Sequence, residues 1–297
     1  MYRPHRRPTL LSREDLNFLI TNRIPRAAAT RFIGWLSHIQ SPLLATWCIA
    51  IWRLFTSLDL SESKKQRFDS LHDCFIRELK SGARPLDTRP DMLVSPCDGI
   101  IGAHGRIDDG QVFQAKGFPY RIKDLLIHED LVDRWQRGHY ITLRITSAMY
   151  HRFHAPHNGQ LHRVRYISGD TWNVNPIALK RIESLFFKNE RAVLEMSLGP
   201  DRTPVVMVPI AAILVASIRI HGIQMTLNHH ARDGLTVSSD QHFEKGQELG
   251  WFEHGSTIVM FFPEACTFDS LVRVEQKIRM GQTLMRLPIP CVSQAGR

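Results

Sequence analysis

Gly255-Ser256-Thr257 leads directly into Ile258-Val259-Met260-Phe261-Phe262. Five apolar residues in a row, four of them β-branched or aromatic, predict a buried strand. A serine between a flexible glycine and such a strand is placed to attack its own backbone. Gly255 carries no Cβ and permits a strained approach of the Ser256 hydroxyl to the preceding carbonyl. A positioned base would take the hydroxyl proton, and the apolar run would anchor the new chain end. Taken alone, Gly-Ser-Thr is common loop material.

Upstream of this stretch the texture is that of strands. Ile141, Leu143 and Ile145 alternate with Thr142, Arg144 and Thr146, which predicts a half-buried strand. Val205-Val206-Met207-Val208 and Ile213-Leu214-Val215-Ala216 are short runs of strand formers. Gly159, Gly169, Pro200, Pro209, Gly222, Gly234 and Gly246 punctuate them. Strands at such intervals indicate a β-rich sandwich or barrel.

The first 85 residues read differently. Met1 to Pro8 is a basic, proline-rich arm. Ser12-Arg13-Glu14-Asp15 is a helix start followed by Leu16, Leu19 and Ile20. Ser41-Pro42 is a second start, with serine as N-cap and proline at the first helical position; the helix runs from Leu43 to Phe55. Pro42 and Arg53 bracket a run shorter than the roughly 20 apolar residues a spanning helix needs. Trp35, Trp47 and Trp52, with Arg23, Arg26, Arg31 and Arg53 nearby, suit a helix lying in a membrane interface; an ordinary core helix is the other reading. Phe68, Leu71, Phe75 and Leu79 predict a third helix from Glu62 to Lys80, ended by Gly82 and Pro85. The expected class is α+β, with a helical membrane-associating region over 1–85 and a β-rich sandwich or barrel-like catalytic domain over 86–297.

Composition narrows the function classes. The chain has 297 residues, 43% hydrophobic and 23% charged, which excludes wholesale disorder. A formal charge of +9 suits a polyanionic partner, nucleic acid or an anionic lipid surface. The five cysteines are odd in number and form no CxxC pair, so neither a disulfide framework nor a structural zinc site is expected. A reducing compartment and no secretory signal complete this expectation.

Three further motifs bear on chemistry. Asp98-Gly99 is a turn former, or a carboxylate held to orient a histidine. His151, His154 and His157 lie at intervals of three, but Pro156 breaks a helix through them and no acidic partner is evident, so acid/base roles outweigh metal ligation. Gly99, Gly102 and Gly105 do not make a dinucleotide fingerprint.

In this order the segments resemble the phosphatidylserine decarboxylase family of the long, bacterial and mitochondrial type. Phe75-Ile76-Arg77-Glu78-Leu79 with Arg84-Pro85 looks like the family's entry segment. Pro96-Cys97-Asp98-Gly99 is similar to its Pro-x-Asp-Gly, and Tyr150-His151-Arg152-Phe153-His154-Ala155-Pro156 to its Tyr-His-Arg-x-His-x-Pro. Ser168-Gly169-Asp170, Val174-Asn175, Phe187-Lys188-Asn189-Glu190-Arg191 and Lys245-Gly246-Gln247-Glu248-Leu249-Gly250 continue the pattern up to Gly255-Ser256-Thr257. The resemblance covers about Phe68 to Leu287. His254 departs from it, standing where bacterial members usually have leucine.

The resemblance implies a self-cleaving proenzyme. By position, Asp98 would orient His154, and His154 would activate Ser256 against the Gly255 carbonyl. Cleavage would leave β (1–255) and α (256–297) subunits as a heterodimer or higher oligomer. Ser256 would become a covalent pyruvoyl cofactor whose ketone condenses with the serine amine of phosphatidylserine, giving phosphatidylethanolamine. His151 would supply a proton or place the carboxylate. No metal and no nucleic acid are implied, and the location would be peripheral, on the cytoplasmic face of the cell membrane. Two other classes compete: a serine hydrolase using Ser256, His154 and Asp98, and a basic membrane-binding non-enzyme.

Overall fold

A computed structural model describes residues 26–113, 119–170, 172, 185–211, 217–223, 234–253 and 256–288. The helix start at 12–20, the run 213–216, Val174-Asn175, Cys291 and the His254-Gly255 pair lie outside them.

Ile258–Phe262 belongs to β13 (Ser256–Phe262), and every residue of that strand is buried. It lies inside an eight-stranded antiparallel sheet of order β11-β7-β8-β9-β13-β5-β2-β15. These strands are β2 (Gly99–Ile107), β5 (Gly138–Ile145), β7 (Gly159–Ile167), β8 (Arg191–Leu198), β9 (Thr203–Ala211), β11 (Thr236–Phe243) and β15 (Lys277–Ile278). Alternate residues of β13 enter two different cores. Ile258, Met260 and Phe262 join Leu143, Met207 and Leu194 on one face. Val259 and Phe261 join Tyr140, Val208 and Trp135 on the other. A sheet covered on both faces needs apolar residues at every position, hence a continuous run rather than an alternation.

The second core is closed by two short helices, Ile122–Leu126 and Glu129–Arg134, through Ile122, Leu125, Leu126 and Leu131. The first core is closed by a small sheet of β10 (Ile218–Ile220), β12 (Glu248–Phe252) and β6 (Arg152–His154), through Ile218, Phe252 and Phe153. A third sheet joins β1 (Met92–Val94), β16 (Thr283–Arg286) and β14 (Thr267–Phe268). Gly250 lets β12 and β10 meet: a Cβ there would collide with the Arg219 carbonyl. The described residues are therefore mostly β-sheet, with few helices.

Two local expectations are corrected. β5 is not half-buried, because Tyr140 and Thr142 face the second core while Ile141, Leu143 and Ile145 face the first. Nor is 62–80 one helix. Only Leu71–Phe75 is helical, started by Ser70, whose Oγ accepts from Asp73 N at 3.0 Å. The flanks close on each other: Lys64 N donates to Glu78 O and Lys80 N to Glu62 O, both at 2.9 Å. Phe68 and Leu71 still pack together, Phe68 from the loop before the short helix and Leu71 from its first position. Long-range pairing of the two ends overrides the helical spacing.

The Ser41-Pro42 signal reads correctly. In order along the chain, α1 spans Arg26–Ser37, α2 spans Pro42–Phe55 and α3 is Leu71–Phe75. Ser41 Oγ accepts from Leu44 N at the start of α2. Ala45, Ile49 and Trp52 form its inner stripe, packed near Leu58, Phe68 and Cys74. Its outer face carries Leu43, Trp47, Ile51 and Leu54, all exposed; Trp47 is 71% and Leu54 79% accessible. Among the described residues no helix is long and apolar enough to cross a membrane.

Candidate active site

The candidate residues gather at one end of the large sheet. β5 ends at Ile145, β9 ends at Ala211 and β13 begins at Ser256, and these three are cross-strand partners. β2 begins one residue after Asp98, and β8 begins one residue after Glu190. Thr146 to His151 follows β5 at the same end.

Ser256 is 0% exposed, and its Oγ has no hydrogen-bond partner among the described residues. A buried hydroxyl left unpaired costs about 1–3 kcal/mol. Its row across the sheet holds Ile145 and Ala211, small or apolar neighbours that leave it in dry surroundings. The preceding residues leave β12 through Glu253, whose N donates to Ser217 O at 3.1 Å and whose carboxylate accepts from Ser217 Oγ at 2.8 Å.

His154 lies on β6, opposite Glu248 of β12. Its Nδ1 meets Gly246 O at 3.0 Å and its Nε2 meets Tyr150 Oη at 3.0 Å. A carbonyl only accepts, so Nδ1 carries the proton and Nε2 accepts from the tyrosine. Burial depresses the imidazole pKa below its ordinary 6.5, and the Gly246 bond offsets this in part. The ring is a neutral base. Gly246 holds a positive φ of 82°, which turns the chain between β11 and β12 and presents that carbonyl.

Asp98 is bound elsewhere. Arg84 grips it with two bonds, Nε to Oδ1 at 2.8 Å and Nη2 to Oδ2 at 2.5 Å, and Met280 N donates to Oδ1 at 3.0 Å. No hydrogen bond joins Asp98 to His154, or His154 to Ser256, among the described residues. The link between the first two is the backbone: His154 N donates to Pro96 O at 2.7 Å. Asp98, Tyr150, Arg77, Arg84, Lys277 and Arg279 line part of a cavity of about 330 Å³ between the helical segment and the sheet end. A larger cavity, about 730 Å³, lies at the opposite end beside Gly159 and Gly199.

His151 is 0% exposed and its carbonyl accepts from Phe252 N at 3.0 Å. Along the β6–β12 ribbon it therefore sits on the Ser256 side of His154. His157 is separate, its Nε2 against Pro90 O at 2.8 Å. Among the described residues no cluster of histidine, cysteine or acidic side chains is placed to hold a metal ion.

Sequence reasoning missed three participants: Tyr150 on His154, Arg84 on Asp98, and Glu190. Glu190 O accepts from Ala211 N at 2.8 Å, so the residue extends the Ser256 row by one strand. Burial pushes its carboxyl up to about 8, with the Tyr166 hydroxyl opposing in part. Each stands inside a quoted motif, but only the folded contacts tell which partner it meets.

A buried serine, two buried histidines and a salt-bridged aspartate thus gather at one sheet end of a β-rich fold. The sequence model of phosphatidylserine decarboxylase matches residues 71–286, and the chain belongs to this family. Relatives named phosphatidylserine decarboxylase proenzyme include those of Shewanella sp. (strain MR-4), 33% identical over 89% of this chain and 94% of theirs, and Acinetobacter baumannii (strain AYE), 30% identical over 92% and 96%. The relative from Actinobacillus pleuropneumoniae serotype 3 (strain JL03) is 28% identical over 96% and 99%.

Proposed function

We propose that this chain is a proenzyme that cuts itself between Gly255 and Ser256 and then decarboxylates phosphatidylserine to phosphatidylethanolamine. What supports this reading is the Ser256 hydroxyl, buried and without a hydrogen-bond partner among the described residues at the head of a central strand, in a chain of this family. A hydrolase acting on outside substrates needs an accessible nucleophile, and a serine at 0% exposure favours attack on its own backbone instead.

Ser256 Oγ adds to the Gly255 carbonyl as its proton passes to a base, and the peptide C–N bond breaks, leaving an ester and a free amino group. Loss of the Ser256 Cα proton expels Gly255 as a carboxylate and leaves dehydroalanine. Water then displaces the nitrogen as ammonia, and a pyruvoyl group remains at the start of the α fragment. His154 is the base, reached through or past the Tyr150 hydroxyl that occupies Nε2. Asp98 acts at one remove: its bonds to Arg84 and Met280 N fix the Pro96–Asp98 turn that holds the His154 backbone.

A neutral histidine sets the pH dependence. Its folded pKa lies below the ordinary 6.5, so the folded ring stays uncharged after the unfolded one has gained its proton. Self-cleavage of freshly refolded precursor is expected to keep most of its rate down to pH 6.5 and to reach half only at a lower pH. His154 also lowers stability over this window, since only the unfolded chain binds the proton there. Timed gels between pH 5 and 8 check this; a cleavage rate that halves by pH 6.5 contradicts a depressed pKa.

The fold supports lasting association of the β (1–255) and α (256–297) fragments as a heterodimer. β13 is laddered on both sides, to β5 and β9, and all seven of its residues are buried. Five apolar side chains at about 1.5–3 kcal/mol each hold it there. β16 pairs with β1 and β15 with β2, so the smaller fragment is also tied to the larger at its other end.

The pyruvoyl group supplies the electron sink that decarboxylation of an α-amino acid requires. The buried position of Ser256, whose Oγ has no partner among the described residues and whose cross-strand neighbours are Ile145 and Ala211, fits it. His151 holds a proton at its imidazole for the carbon that loses carbon dioxide. The outer face of α2, with Phe32 and Trp35 of α1, enters an anionic bilayer as a peripheral contact, and the +9 charge attracts that surface. Replacing Trp47 and Leu54 together by serine removes two exposed anchors that touch no core. Sedimentation with anionic vesicles is expected to fall at least about tenfold in affinity; unchanged binding contradicts the membrane contact.

A further inference from the structure

The imidazole of His151 lies against the ring of Phe75, with centroids 3.9 Å apart and planes at 34°. Phe75 is itself 1% exposed and is backed by Trp52, centroids 5.8 Å apart and planes at 12°. Three rings thus run in file from α2 to His151. The backbones beside them are tied together. Arg77 Nη2 donates to Ala148 O and Met149 O, each at 3.0 Å, and Arg152 Nε donates to Ile76 O at 2.9 Å. Segments 75–77 and 148–152 therefore form one unit.

A ring face at this separation leaves the imidazole little freedom to rotate, and aromatic pairs favour a narrow set of orientations. Trp52 lies on the inner stripe of α2, while Trp47, Ile51 and Leu54 form the outer apolar face of the same helix. The seating of α2 is thereby passed to His151 through two side chains.

We propose that Phe75, backed by Trp52, is the positioning residue for His151 and couples its orientation to the docking of α2. This rests on the decarboxylase reading and on the role given there to His151. Self-cleavage is assigned to His154, whose ring is held by Tyr150 and Gly246, so it is expected not to depend on them.

The test compares purified Phe75→Leu, Trp52→Leu and His151→Ala chains with wild type, using phosphatidylserine in phosphatidylcholine vesicles. Intact mass reports cleavage, and kcat and KM are measured separately. Phe75→Leu is expected to cleave fully, keep KM within about twofold and lose about tenfold in kcat. Trp52→Leu is expected to lose about threefold in kcat at the same KM. Restoration of an aromatic ring by Phe75→Tyr is expected to return most of the lost kcat, which a general packing defect does not predict. Wild-type kcat in Phe75→Leu, or a loss confined to KM, overturns the proposal. If Phe75→Leu fails to fold, Trp52→Leu carries the same decision, and an unchanged kcat there overturns it. His151→Ala separates the two levels. An active His151→Ala chain removes the role of His151 and the inference with it; an inactive one beside an unimpaired Phe75→Leu removes the inference alone.

Discussion

A Ser256→Ala chain is expected to be recovered as one uncut species of about the full-length 34.2 kDa and to produce no phosphatidylethanolamine. The loss is complete because one residue serves two ends. Ser256 Oγ is the attacking group in the self-cleavage, and the same residue is the source of the pyruvoyl group. No other hydroxyl at that position can substitute: Thr257 points into the opposite core, alternating with Ser256 along β13. The substitution leaves the fold intact. Alanine fits the space of serine between Ile145 and Ala211, and it removes a buried hydroxyl without a partner among the described residues. Stability is therefore expected to be unchanged or raised by up to about 1 kcal/mol. A thermal melt separates this result from misfolding. A Ser256→Ala chain that still cuts and turns over substrate defeats the proposed chemistry.

His151→Ala divides the two reactions. The chain is expected to cleave to completion, because the base assigned to cleavage is His154, whose ring is held by Tyr150 and Gly246 rather than by His151. Decarboxylation by the cleaved enzyme is expected to fall by about 10²–10⁴, the usual worth of a positioned proton donor. Removing the ring also opens a cavity beside Phe75, at a cost of about 1–3 kcal/mol in stability, so the assay belongs well below the melting temperature. Release of labelled carbon dioxide from carboxyl-labelled phosphatidylserine reads the second reaction, and intact mass reads the first. A variant that cleaves normally and keeps full decarboxylation strips His151 of its role.

The parts of this protein legible in its sequence are those fixed by neighbours in the chain. Ser41-Pro42 starts a helix because a serine oxygen caps an amide three residues on, and the fold keeps that bond. Ile258–Phe262 reads as a buried strand because every position is apolar. The segment 62–80 misled because its helical spacing is real, while Lys64–Glu78 and Lys80–Glu62 pairing decides its shape. The site divides in the same way. Asp98, His151, His154 and Ser256 are singled out by ordered motifs that resemble a family, and the fold places them toward one sheet end. Their partners are not legible in this way: His154 meets a carbonyl 92 positions away, and Asp98 meets Met280 across 182. No local pattern encodes such contacts. The motif order implied that Asp98 orients His154 directly; the fold joins them through the Pro96 carbonyl.

Self-cleavage at Gly255–Ser256 is decided by intact-mass analysis of the purified wild-type chain. Two fragments are expected, 1–255 and 256–297, held together under native conditions, with the smaller one lacking a free amino terminus and carrying the mass of a pyruvoyl group in place of serine. A single 34.2 kDa chain that nonetheless decarboxylates phosphatidylserine would contradict it.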